Sequence, residues 1–278
     1  MKIEPFYNHL LVQDGLQKIT IEGYKKVLTK YFKENKHFDR KAVEAHIAKM
    51  RQRDYSYSHV ANTSVALERL SNYLGKPIKL GRPRKPKQLI KNTLTEGEIA
   101  RMLAICKNSR ERALLSVLVY TGLRNKELCQ LKTEDVDIGN QCVRVVEGKG
   151  SKDRVVYFTS ECGQMLTEYK SEYKPNGIMF TTLALHDPYN GWALRKMVKI
   201  VAKRAGVKKR VYPHLFRHSL ACNLLNRGAN IMTIQSLLGH SDIKMTLRYA
   251  HLAPAVKAAA VARLVRKNND RQVARLSI

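Results

Sequence analysis

Residues 113–128 read ALLSVLVYTGLRNKEL and contain the turn around which the rest of the fold is organised. The first eight residues are almost all apolar, which predicts a helix buried on every side. Gly122 then permits a bend that other residues resist. Arg124 follows at the start of a second, short helix, with Glu127 one turn later on the same face. The stretch therefore predicts a buried helix that presents an arginine at its end.

The sequence on either side of this stretch predicts a mainly helical fold with a small β-hairpin or sheet. Upstream, Thr95 and Glu98 form a capping box that opens a helix. Downstream, residues 142–146 and 154–158 alternate in polarity and predict two strands of a hairpin. Lys149 lies in the loop between them.

The helical pattern returns from about residue 193. Pro213 is favourable in the first turn of a helix. His214, Arg217 and His218 follow at helical spacing and share one face. This helix therefore presents two histidines and an arginine together.

Residues 1–78 predict a separate, all-helical N-terminal domain. Thr20 is expected to cap one helix, and residues 40–53 and 58–74 are expected to form two more. Between these two lies a basic and aromatic cluster of Arg51, Arg53, Tyr55, Tyr57 and His59. The two arginines are candidate DNA contacts, while the aromatic residues suit either a DNA groove or the domain core.

Residues 79–92 predict a basic linker between two domains. Prolines interrupt this segment and no acidic residue occurs in it. An extended linker is expected because proline disfavours both helix formation and pairing in a sheet. Four of its cations are candidate contacts to DNA phosphates: Arg82, Arg84, Lys85 and Lys87. A solvated spacer is the alternative, and residues 93–278 form the second predicted domain.

The formal charge of the chain is +28, from 51 Lys and Arg and 23 Asp and Glu. Residues 1–92 hold 20 basic and 8 acidic residues, and residues 93–278 hold 31 and 15. Both halves are basic, so nucleic acid is the first partner to consider. A ribosomal or membrane-surface protein is the alternative on charge alone.

Five cysteines show neither a disulfide framework nor metal-ligand spacing. No apolar run approaches the roughly 20 residues of a membrane span, and the first residues lack a signal core. We therefore expect a cytoplasmic protein without a membrane partner.

Six residues occur in settings that suit chemistry on a phosphodiester: Arg124, Lys149, His214, Arg217, His240 and Tyr249. The two arginines keep their charge and can each bind two phosphate oxygens. The histidines can donate to a phosphate or accept a proton near neutral pH. The lysine can protonate a leaving oxygen. The tyrosine is the candidate nucleophile, since its neighbours can stabilise the phenolate as it forms.

Taken together, these settings resemble the tyrosine recombinase family, also called phage integrases. Residues 121–128 match the family's Thr-Gly-Leu-Arg-x-x-Glu-Leu, and residues 214–218 match its His-x-x-Arg-His. The family's hairpin lysine falls on Lys149, its Leu-Gly-His ends at His240, and its nucleophile falls on Tyr249. The resemblance covers residues 93–255 and, more loosely, the N-terminal module. It is closer to Xer recombinases and to phage or transposon integrases than to Cre.

The resemblance implies an enzyme that needs no metal, ATP or other cofactor. Its relatives cut one strand at a time, leave a 3′-phosphotyrosine and a free 5′-hydroxyl, and rejoin strands through a Holliday junction. The implied partner is a double-stranded DNA recombination site, on which the protein forms a homotetramer. Away from DNA, the protein would be a monomer or weak oligomer. A SAM-like core-binding domain and a mostly helical catalytic domain would form a C-shaped clamp on DNA, in a nucleoid-associated protein.

Three alternatives stay open at this point. A type IB topoisomerase shares the chemistry but relaxes DNA instead of exchanging strands. A non-catalytic DNA-binding relative would use the basic domains as a clamp. Within the family, integration or excision of a mobile element competes with dimer resolution. The tail past Pro254 is expected to dock either on its own domain or on a neighbouring subunit.

Overall fold

The computed structural model describes residues 3–81, 93–146, 153–182, 187–239 and 242–247. The chain divides into two compact units, Met1–Gln88 and Leu89–Ile278. Both units are mostly helical, and the second also contains a three-stranded sheet. The prediction of a mainly α fold with a small sheet is confirmed. Among the described residues, no helix has both the length and the apolar character needed to cross a membrane.

The described part of the first unit consists of four helices: α1 (Glu4–Val12), α2 (Lys18–Glu34), α3 (Arg40–Gln52) and α4 (Tyr57–Tyr73). One apolar core joins all four, because Phe6, Leu28, Val43 and Leu67 are each 1% exposed or less. The two helices predicted at residues 40–53 and 58–74 are confirmed to within one residue at each end. Helix α1 was not predicted individually.

Side-chain caps explain where two of these helices begin, and the start of a third corrects one prediction. Asp39 accepts from the backbone N–H of Ala42 at the start of α3, and Ser56 caps α4 in the same way. Thr20, the predicted cap of α2, instead lies in the first turn of that helix. Helix α2 begins earlier because the carbonyl of Gln17 already accepts the N–H groups of Thr20 and Ile21.

The chain stays packed on the first unit beyond α4. Ile78 is buried and its N–H donates to Ser71 Oγ at 3.0 Å. The N–H of Leu80 donates to Glu68 Oε1 at 2.9 Å. The predicted linker begins at residue 79, so its first residues belong to the packing of this unit. Residues 82–92, which include Arg82, Arg84, Lys85 and Lys87, lie outside the described residues.

One short 3₁₀ helix (Thr133–Asp135) and eight α-helices occur in the described part of the second unit: α5 (Glu96–Ala104), α6 (Ser109–Thr121), α7 (Asn125–Cys129), α8 (Ser160–Tyr173), α9 (Gly191–Arg204), α10 (Pro213–Asn226), α11 (Ile231–Leu238) and α12 (Ile243–Leu247). The capping box predicted at α5 is confirmed, since Thr95 accepts from the N–H of Glu98 and the Glu98 carboxylate accepts from the N–H of Thr95. Helix α6 is the predicted buried helix, with Leu114, Val117 and Leu118 fully enclosed.

The sheet has strands β1 (Val136–Asp137), β2 (Cys142–Val145) and β3 (Arg154–Tyr157), in the order β1-β2-β3. Strands β2 and β3 form the predicted antiparallel hairpin, in which Val145 pairs with Arg154. Two-residue β1 was missed because it is too short to show alternation. Val143 and Val156 face the core, while the opposite face of the hairpin is open to solvent.

A left-handed glycine ends α6 as predicted. Gly122 has φ of +61°, and a Cβ on it would lie 3.0 Å from Leu220 and 3.1 Å from Leu238. Both the conformation and the close packing therefore require glycine. The turn places Arg124 at the N-cap of α7.

Candidate active site

Arg124 is fixed by hydrogen bonds on two sides. Its Nη1 donates to Glu127 Oε1 at 2.6 Å, and its backbone N–H donates to Glu127 Oε2 at 2.7 Å. Its Nη2 donates to the carbonyl of Gly239 at 2.5 Å. The side chain is still 32% exposed. Arg124 is thus oriented by the protein while part of its side chain stays accessible to solvent.

Arg217 lies deeper, on α10, and is 3% exposed. Its Nη1 donates to the carbonyl of Gly122 at 2.9 Å, and its Nη2 donates to the carbonyl of Leu238. The two predicted arginines therefore bind successive main-chain oxygens at the end of α11. The next residue in the chain is His240.

His214 occupies the first turn of α10, where Pro213 takes the first helical position as predicted. His214 keeps an exposed side. Its pKa is nevertheless lowered from 6.5, first by partial loss of solvation and then by the nearby charges of Arg217 and Arg124. The ring centroid of His218 lies 6.5 Å from that of His214. The structure thus groups three of the six predicted residues around one surface.

We expect His214 to titrate below pH 6.5 in the DNA-free protein, and a histidine NMR titration would measure this. The folded state binds this proton less tightly than the unfolded state, so the free energy of unfolding falls as the pH drops below about 6.5. His214→Asn should lose less stability than the wild type between about pH 7.5 and 5.5. A resonance of His214 titrating above 6.5 would contradict the expectation.

The structure reveals one residue that the sequence did not single out. Arg154, at the start of β3, is 9% exposed, and its Nη2 lies 2.7 Å from Glu127 Oε2. Its Nη1 donates to Glu127 Oε1 at 3.2 Å. The signal in the sequence was weak, namely a cation at the edge of an otherwise apolar strand. Glu127, which the sequence places on the same helix face as Arg124, joins this arginine to Arg124.

Gly239→Ala should disturb this arrangement more than an equally strained substitution elsewhere. Gly239 has φ of +62°, and an added Cβ would lie 2.8 Å from Arg154 Cδ. Arg154 cannot move aside without breaking its hydrogen bonds to Glu127. Gly206 has φ of +69° but nothing within 4 Å of an added Cβ, so Gly206→Ala isolates the backbone cost of about 1–2 kcal/mol.

Chemical denaturation of both variants would measure the difference. We expect Gly239→Ala to lower the free energy of unfolding by about 1–3 kcal/mol more than Gly206→Ala does, because of the steric overlap. Equal losses in the two variants would show that Arg154 relaxes freely.

A cleft of about 540 Å³ opens beside Arg124, between α7 and the hairpin. Lys126 and Arg144 line it together with Glu127. Arg144 pairs with Asp135 at 3.0 Å and is 61% exposed. Four basic and three acidic side chains line the cleft, so its net charge is only slightly positive.

The remaining predicted site residues are not brought together by the described part of the structure. Lys149, His240 and Tyr249 lie outside the described residues. Arg51 and Arg53 are exposed in the first unit, and Arg51 Nη2 donates to the carbonyl of Gly81 at 2.5 Å. Their neighbours Tyr55, Tyr57 and His59 are half-buried, and Tyr55 packs against the core of that unit.

Comparison with known proteins bears on this site. Residues 92–255 match the Phage integrase family, a span that includes every predicted catalytic residue.

The chain belongs to the phage integrase family.

Within that family the chain is a tyrosine site-specific recombinase of the Xer-like kind. It is 32% identical to the tyrosine recombinase XerA of Pyrococcus horikoshii, over 92% of this chain and 93% of the relative. It is 30% identical to the tyrosine recombinase XerC of Staphylococcus aureus, over 90% and 91%. Its fold is similar to the Tn1549 transposon integrase in complex with circular intermediate DNA, with TM-score 0.76, 19% identity and coverage of 95% and 100%.

Proposed function

We propose that this tyrosine recombinase cleaves and rejoins double-stranded DNA through a 3′-phosphotyrosyl intermediate at Tyr249. The observation that carries the proposal is the convergence of Arg124 and Arg217 on the end of α11, with His214 beside them. The chain continues from this point to His240 and, nine residues later, to Tyr249. A phosphate bound here would meet the partly exposed Arg124 and lie close to the positive charge of the buried Arg217.

The proposed step is a balanced displacement at phosphorus. The Tyr249 oxygen forms a bond to phosphorus as the bond to the 5′-oxygen breaks. The phenolic proton passes to His214 or His240, and Lys149 gives a proton to the departing 5′-oxygen. Negative charge grows on the nonbridging oxygens, where Arg124 and Arg217 stabilise it. The 5′-hydroxyl of a partner strand reverses the step and forms a Holliday junction.

A second observation supports DNA as the substrate. One face of α9 is exposed and basic, with Arg195, Lys196, Lys199 and Lys203 in contact with solvent. Trp192, on the same helix, is 65% exposed, and Lys196 Nζ lies 5.1 Å from its ring centroid. A large aromatic side chain left in solvent beside cations suits a nucleic-acid surface.

The organisation of the complex is part of the same proposal. Residues 1–78 act as the core-binding domain, residues 79–92 as a basic strap, and residues 93–278 as the catalytic domain, which together form a C-shaped clamp. Four protomers assemble on two DNA sites, while the free protein is a monomer or weak oligomer. The two candidate biological roles are integration or excision of a mobile element and dimer resolution.

A covalent trap tests the proposed function. Wild-type protein and Tyr249→Phe are mixed with fragmented genomic DNA from the source organism, denatured, and the protein-linked DNA ends are sequenced. Adducts at one short inverted repeat, lost in the variant, are the expected result. Scattered adducts would favour a topoisomerase. The absence of adducts would refute cleavage by this protein alone and favour a binding role.

A further inference from the structure

Arg154 connects three segments of the catalytic unit that are distant in sequence. It begins β3, and its guanidinium contacts Glu127 of α7 with both terminal nitrogens, at 2.7 and 3.2 Å. Its Nε donates to the carbonyl of Leu237 in α11 at 3.4 Å. Gly239 packs directly against its side chain. Arg154 therefore joins the hairpin to the two elements that hold Arg124.

Glu127 is shared between two arginines. Each of its carboxylate oxygens accepts from Arg154, and each also accepts from Arg124, through Nη1 at Oε1 and the backbone N–H at Oε2. Glu127 and Arg154 are 11% and 9% exposed. Water therefore screens their charges poorly, and the local charge balance determines what a ligand meets.

The three side chains together carry one net positive charge. If Arg154 were neutral, the single negative charge of Glu127 would be set against Arg124 alone, and the pair would be neutral overall. A phosphate approaching Arg124 would then compete with Glu127 for the same guanidinium. With Arg154 present, the charge of Glu127 is shared between two arginines and does not cancel that of Arg124 alone.

We propose that Arg154 is a positioning residue for the cleavage reaction, which neutralises Glu127 so that Arg124 acts on the scissile phosphate. The inference rests on the proposed function, because it assigns Arg124 to that phosphate. Arg154 itself makes no contact with DNA in this scheme. Its effect passes through Glu127 and through the orientation of Arg124 at Gly239.

A comparison of charge-removing variants tests this role. The probe is a nicked oligonucleotide that carries the site recovered by the covalent trap, and single-turnover cleavage is measured at saturating protein together with the Kd for the DNA. Arg154→Met removes the charge and keeps an extended apolar chain. The double variant Glu127→Gln with Arg154→Met also removes the charge that Arg154 balances.

We expect Arg154→Met to slow cleavage about 100-fold, the loss typical of a misplaced catalytic group, while the Kd changes less than about threefold. The double variant should then cleave at least about tenfold faster than Arg154→Met, because the carboxylate of Glu127 no longer opposes the charge of Arg124. Recovery on removing a second hydrogen-bonding group is not expected from a purely structural role.

Two results would overturn the inference: Arg154→Met cleaving as fast as the wild type, or a double variant no faster than Arg154→Met. Thermal unfolding checks that each variant folds. If Arg154→Met does not fold, Arg154→Gln replaces it, and the same two results apply. Cleavage by the wild type with no effect of Arg154 would sink only this inference, whereas no cleavage by the wild type would remove the proposed function and this inference with it.

Discussion

Tyr249→Phe should abolish the covalent protein–DNA adduct and leave the affinity for DNA unchanged. The substitution removes one oxygen, the atom that would form the bond to phosphorus, and keeps the aromatic ring. Without a nucleophile no phosphotyrosine can form, so cleavage should drop below detection. Adduct formation on a nicked site and the Kd for the intact site measure the two quantities separately.

Tyr157→Phe supplies the matched control. Tyr157 is 65% exposed on β3 and also loses one phenolic oxygen in the variant. Adduct formation by Tyr157→Phe should equal that of the wild type. Strand cleavage by Tyr249→Phe would identify a different nucleophile and overturn the assignment.

Arg124→Ala should slow cleavage by about 10²–10³-fold, the loss expected when a fixed donor to a developing oxyanion is removed. Binding of DNA should change little, because the charge of Arg124 is used mainly as negative charge develops in the transition state. Single-turnover rates at saturating protein, compared with the Kd, distinguish the two effects.

The fold should survive this substitution because Glu127 keeps both of its contacts to Arg154. Arg112→Ala is a suitable control, since it removes the same charge from α6, where Arg112 pairs with Glu168 at 3.2 Å. Its cleavage rate should match that of the wild type. Equal losses of rate and affinity in Arg124→Ala would mean that this arginine serves ground-state binding.

Features set by neighbouring residues could be predicted from the sequence. The capping box of Thr95 and the bend at Gly122 each depend on only a few consecutive positions, and both are present. The cap assigned to Thr20 was wrong because a backbone carbonyl, common to all residues, begins that helix. Propensity identifies residues able to cap a helix but not the position where it begins.

Contacts between distant segments could not be predicted in this way. Arg154 and Glu127 are 27 positions apart, and their pairing depends on how the hairpin packs against α7. The arginines at 124 and 217 were found because each has a recognisable local setting. Arg154 has no such setting, although it is among the least exposed charged side chains at the site.

The groups that hold Arg217 and one side of Arg124 are the main-chain oxygens of Gly122, Leu238 and Gly239. Every amino acid carries that oxygen, so replacing a neighbouring side chain does not remove the acceptor as long as the chain keeps its path. Side chains around the site can therefore change without breaking the hydrogen bonds of the two arginines. The left-handed glycines Gly122 and Gly239 are the exceptions. A one-residue insertion or deletion between α10 and α11 would instead displace two of these oxygens together. These backbone contacts should tolerate most substitutions of neighbouring side chains but not changes in loop length.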